Sequence, residues 1–163
     1  MLQAIETHLG SRQVARVIYG SIIGLALVVA LQAHPPSAGV VVATLSATAL
    51  AVGLAELYSD IVGTETRTRH RIARTELVHI LGQAGAVAFG IAFPGVFFIL
   101  AALGVIELDS AFTVATWSGL ALIGAYGFGG ARLAGASVIA SLVQAFAVGA
   151  IGGLLIVVKA LLH

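Results

Sequence analysis

Cysteine is missing from all 163 residues. Its absence excludes disulfides and thiolate metal sites. Charge is scarce as well: Asp, Glu, Lys and Arg together make up 9% of the chain, against about a quarter in an ordinary soluble domain. A chain of this length with so little charge cannot cover its own surface with polar groups, so a membrane is its expected solvent. The net charge of +1 gives no basis for binding nucleic acid. No HExxH, P-loop, GxGxxG or GxSxG pattern occurs, and without a nucleophile or metal motif no enzyme is expected. Residues 1–16 hold Glu6, His8, Arg12 and Arg16 and no early apolar core, a pattern that predicts no cleavable signal peptide.

What fills the chain instead is apolar length. Hydrophobic residues make up 60% and the mean hydropathy is +1.09. Five apolar runs cover residues 17–33, 38–62, 77–106, 111–130 and 137–162. About 20 residues of helix cross a hydrocarbon core of about 30 Å. The runs are too long, and alternate too little, for barrel strands. The expected fold is therefore an all-α membrane protein, a five-helix bundle forming a single integral membrane domain over residues 1–163. The third run is long, and Pro94 inside it is expected to kink it. The 20 glycines suit membrane helices, whose backbones pack closely. Gly20-xxx-Gly24 and Gly149-xxx-Gly153 are candidates for such contacts, within or between subunits. Leu2, Ile5 and Leu9 recur at helical spacing and fit either a short amphipathic surface helix or a frayed terminus.

Basic residues set the expected orientation. Arg12 and Arg16 precede the first run, Arg67, Arg69, Arg71 and Arg74 separate the second from the third, and Arg132 separates the fourth from the fifth. With five spans, these segments share one side, and Lys159, Glu107 and Asp109 fall on the other. The positive-inside rule makes the arginine side cytoplasmic, with the amino terminus inside and the carboxy terminus outside. The four clustered arginines read as topology determinants that touch anionic headgroups, or as a specific anion or lipid site.

The stretch GLAELYSDIVGTETRTRHR, Gly53 to Arg71, carries the most informative polar residues. On a helix, Glu56 and Asp60 share a face with or near Ala49, Gly53 and Gly63, and a small, acidic face should meet protein or water rather than lipid. If the helix enters near residue 38, Glu56 lies about 27 Å in, at the inner edge of the hydrocarbon, and Asp60 about 6 Å further. An ionised carboxylate at such depth costs roughly 2.5–3.5 kcal/mol on insertion scales and needs a partner, a cation or a proton. Two readings fit. One is a cation or proton site at the inner mouth of a pathway, with Glu56, Asp60 and Glu65 as candidate metal ligands, since carboxylates suit hard divalent ions. The other is a structural acid that pairs with an arginine, Arg16 or Arg132, and ties two helices together. Gln83 and Gln144 are candidates for hydrogen bonds across helices. His70 and His79 flank the arginine stretch and read as solvated.

Three segments, RVIYGSIIGL, GLAELYSDIVG and ALIGAYGFGGARLAG, followed by a glycine-rich last run, resemble the vacuolar iron transporter family. The resemblance spans most of the chain. It implies a homodimer in a prokaryotic plasma membrane that moves Fe2+, Mn2+ or another divalent ion out of the cytoplasm in exchange for protons. Glu56 matches the family's second-helix glutamate. In Gly20-Ser21-Ile22-Ile23-Gly24-Leu25, Ile23 stands where the family's G-x-x-D-G-L has its aspartate, and Thr64 stands where it has a methionine. The long cytoplasmic metal-collecting domain of typical members is replaced by a short linker. Without that carboxylate and the soft sulfur, the ligands for a ferrous ion are poor. The substrate differs, Asp60 supplies a replacement acid, or the fold serves as a non-transporting assembly platform. A transporter predicts a water-accessible cavity lined by Glu56; a platform predicts a Glu56 that is paired and dry.

Overall fold

A computed structural model describes the backbone of residues 2–161, with the side chains of residues 13–150, 153, 154 and 157. Among the described residues all regular structure is helical: α1 (Leu2–Leu31), α2 (Ala38–Thr68), α3 (Arg74–Ala92), α4 (Gly95–Ala102), α5 (Leu108–Leu133) and α6 (Val138–Leu161). The helix ends follow local chemistry. Pro35 and Pro36 force the chain out of the helical region after α1, because proline disfavours that region in the residue before it. α2 ends where Arg69 turns left-handed (φ 55) and its amide bonds to the Glu65 carbonyl at 2.8 Å. Gly104 (φ 74) and Gly135 (φ 82) take the positive dihedrals that close α4 and α5, a conformation free of steric cost only for glycine. Ser137 accepts a bond from the Ala140 amide at 3.2 Å and caps α6.

The expected single helix over 77–106 is replaced by two, broken at Phe93–Pro94. Proline has no amide hydrogen and its ring collides with the preceding turn. Tighter three-residue bonds take over across the break, from Val96 to the Phe93 carbonyl (3.3 Å) and from Phe97 to the Pro94 carbonyl (3.2 Å). Other helices outrun the apolar stretches, since α1 is helical back to residue 2 and α2 forward to residue 68. The amphipathic face expected of Leu2, Ile5 and Leu9 lies outside the described side chains. Among the described residues four helical segments are long and apolar enough to cross a membrane: Gln13–Leu31, Ala38–Thr68, Arg74–Ala92 and Leu108–Leu133. Val138–Ala150 forms a shorter apolar segment of α6.

α1 is the central helix, packed between α3 and α5 and touching α6. Its contact with α3 is backbone on backbone. A β-carbon at Gly20 would fall on the Val87 carbonyl, one at Gly24 would lie 2.8 Å from the Ile91 oxygen, and one at Gly90 would lie 2.6 Å from the Ser21 nitrogen. Three glycines thus set the approach of these two helices. At one end of the bundle Val28, Val41, Leu45, Phe98, Ala111, Phe112 and Ala115 form a buried cluster, in which the Phe98 and Phe112 rings meet edge to face with centroids 4.8 Å apart. Midway along, Ala49, Val87 and Ile91 pack together with Ile23 against them. Leu25, Val29 and Ile123 pack on the other side of α1. Large apolar side chains, including Leu50, Leu54, Trp117 and Phe146, cover the outside, a surface suited to hydrocarbon rather than water.

Candidate functional site at the arginine-rich end

The antiparallel packing of α1 and α2 carries the chain's polar chemistry to one end. Val28 of α1 lies beside Val41 of α2 in the apolar cluster at the opposite end, so the amino-terminal half of α1 meets the carboxy-terminal half of α2. There Arg16 bridges both members of the acid pair. One terminal nitrogen, Nη1, forms an ion pair with Glu56 Oε2. The other, Nη2, donates to Asp60 at 3.0 Å from Oδ2 and 3.2 Å from Oδ1. The three side chains are 20–25% exposed, so the triad is neither dry nor fully solvated. Two carboxylates one helical turn apart present their oxygens in the same direction, and the planar fork of a guanidinium suits such a pair. Of the two arginines weighed as partners, Arg16 is the one used. Arg132 donates instead to the Ala136 carbonyl at 2.8 Å, closing the end of α5.

Beside the triad opens a cavity of about 540 Å³, enclosed by α1, α2 and α3. Arg16 lines it from α1; Ser59, Asp60, Gly63, Thr64 and Arg67 line it from α2; Glu76, His79, Ile80 and Gln83 line it from α3. Its wall holds two arginines and two carboxylates. Gly63 leaves room, since nothing lies within 4 Å of where its β-carbon would be. Gln83, 6% exposed, donates its amide to His79 Nε2 at 2.6 Å. That bond runs along α3, not across helices as expected.

The structure separates the remaining candidates. Glu56 meets Arg16 but does not line the cavity, whereas Asp60 does both. Glu65 is nine residues from Glu56, two and a half turns on, and so lies on the opposite face of α2. It is exposed and accepts a 3.4 Å bond from the Ile72 amide, bracing the linker rather than joining the acid pair. Gln144 is exposed on α6, and Arg69, Arg71 and Arg74 are exposed around the linker. Gly53 faces Ala88 across the α2–α3 contact, with its β-carbon position 3.4 Å from that methyl group. Gly20 and Gly24 serve α3 within the chain, while Gly149 and Gly153 meet nothing within 4 Å. His70 is exposed, with Nδ1 2.8 Å from the Thr68 carbonyl oxygen. Among the described residues no group of three His, Asp or Glu side chains converges as a metal cage.

Of the other lining residues, Glu76 and Ser59 were not named from the sequence; His79, read there as solvated, is half-buried and bonded to Gln83, and Thr64 was marked only as standing at the family's methionine position. The signal for two of them was present: Glu76, His79 and Gln83 recur at helical spacing on the first turns of α3, a polar stripe in an apolar helix. Ser59 stands out only once α3 is known to face α2, and only then does Thr64, 8% exposed, take a place on the cavity wall. Comparison with protein-family models, curated proteins and solved structures gives no match to this chain.

Proposed function

We propose that this chain is a divalent-cation transporter of the vacuolar iron transporter type, a short-linker form without a cytoplasmic metal-binding domain. In this reading it has five membrane spans, with the amino terminus in the cytoplasm and the carboxy terminus outside. It works as a homodimer in a prokaryotic plasma membrane, exporting Fe2+ or Mn2+ in exchange for protons. α3 and α4 together make the third span and α6 the fifth. Glu56 and Asp60 handle the ion, and the exposed arginines of the linker rest among anionic headgroups.

The observation that carries the reading is the cavity, which Asp60 lines although Glu56, expected on its wall, does not. An apolar bundle of this size has no packing need for a polar recess of about 540 Å³, and this one opens beside Asp60 at the end where the arginines collect. Flux into proteoliposomes, measured over a panel of divalent cations with an internal pH probe, tests it. Wild type should move at least one cation with counterflow of protons, Glu56→Gln should abolish that flux, and Asp60→Asn should weaken it less. Absence of flux for every cation in the wild type ends the transport reading.

A second reading, a non-transporting platform for membrane assembly, draws on the Arg16 bridge, because both carboxylates already have a partner. It predicts no cation flux in wild type, and loss of the folded dimer in Glu56→Gln.

A further inference from the structure

We propose that Arg16 is the specificity-determining residue of the inner mouth, a tethered cation that holds the place of the transported ion between Glu56 and Asp60. The inference rests on the transport reading and deepens it. Two carboxylates one turn apart can share one divalent ion, yet here the guanidinium occupies the position between them, on Glu56 Oε2 and on both oxygens of Asp60. Formally the triad sums to −1, where the bare acid pair would be −2. The guanidinium leaves that position only by swinging away.

Room for that movement exists, since Arg16 itself lines the adjoining cavity. Its side chain is 25% exposed, so the guanidinium is not sealed in. Being tethered, it competes at an effective concentration in the millimolar range or above, so a divalent ion at trace levels does not displace it. The site is closed to weakly bound or scarce cations and open to one that ligates both carboxylates well. This is selection by competition: the bound ion must do better than the internal cation, which excludes monovalent ions of similar charge.

Direct binding of Mn2+ to purified protein in nanodiscs, followed through the electron paramagnetic resonance signal of the free ion, tests the proposal without depending on flux. Arg16→Gln should bind Mn2+ at least tenfold more tightly than wild type, and the double variant Arg16→Gln, Glu56→Gln should lose that gain. Arg16→Lys, whose compact ammonium meets fewer carboxylate oxygens, should fall between. A folded Arg16→Gln that binds Mn2+ no better than wild type overturns the proposal. So does a gain that survives Glu56→Gln, because the ion would then be elsewhere. If Arg16→Gln does not fold, Arg16→Lys decides: affinity raised severalfold supports the proposal, and affinity unchanged overturns it. Failure of the transport reading shows differently, as a wild type without flux whatever Arg16→Gln binds.

Discussion

Arg16 of α1 and Asp60 of α2, 44 residues apart in sequence, are joined by one guanidinium nitrogen that lies 3.0 and 3.2 Å from the two carboxylate oxygens. The same side chain also holds Glu56. α1 and α2 otherwise share little surface, since α1 packs chiefly on α3 and α5, and α2 on α3 and α4. The bridge therefore ties two helices that apolar packing leaves apart at this end. Its exposure of 20–25% places it between a surface pair, worth at most about 1 kcal/mol, and a buried one, whose breaking costs about 3–5 kcal/mol. Asp60→Asn should lower stability by about 1–2 kcal/mol on that scale. The double variant Glu56→Gln, Asp60→Asn should cost more than the sum of the single changes, because each single change leaves Arg16 one carboxylate and relieves the repulsion between the two acids, whereas the double change leaves the arginine unpaired. Thermal unfolding of the four proteins in one detergent gives the comparison, and strict additivity would show that the bridge is not shared.

The α1–α3 crossing makes a sharper prediction. A methyl group at Gly20 has no space against the Val87 carbonyl, and backbone cannot step aside as a side chain can. Gly20→Ala should destabilise by about 3 kcal/mol, the upper end for overpacking. Gly85→Ala, at a position on α3 with nothing within 4 Å, should be neutral or stabilising by up to about 1 kcal/mol, because alanine is the better helix former. Equal melting temperatures for the two variants would refute the close crossing.

Assembly can be tested on α6. Gly20 and Gly24 are occupied by α3, which leaves Gly149 and Gly153 as the glycine pair with open space in front of it. In the proposed homodimer, Gly149→Ile should shift the protein toward monomer in native mass measurements from nanodiscs, with the helical circular dichroism unchanged. A wild type that is monomeric in both detergent and nanodiscs would remove the dimer from the proposed function.

Topology is accessible because the chain has no cysteine of its own. His70→Cys lies in the linker between α2 and α3, and Glu107→Cys lies just before α5; both positions are exposed. An impermeant thiol reagent added to intact cells should label position 107 and leave position 70 untouched until the membrane is opened. The reverse pattern would invert the proposed orientation.

Composition alone decided the solvent. With 9% charged residues the chain has no other way to satisfy its surface, and in hydrocarbon a helix is the element that satisfies its own backbone. Run lengths located the helices and several of their ends, because proline pairs and left-handed glycine positions act locally, but they missed the extension of α1 back to residue 2, and Pro94, expected to kink one helix, separates two. The acid pair was legible for the same reason: one-turn spacing is a property of the helix itself. Which cation meets it was not. Arg16 and Arg132 were equivalent on paper, and only the antiparallel contact that puts the start of α1 against the end of α2 selects Arg16. The cavity likewise depends on three helices meeting, each supplying residues that look like ordinary polar positions in its own sequence. Glu65 shows the converse, a carboxylate near the pair in sequence that helical rotation turns to the far side. Short-range rules fix backbone and periodicity, while a site made from separate helices is settled by which faces meet, and here that was set by three glycines that let α1 and α3 touch.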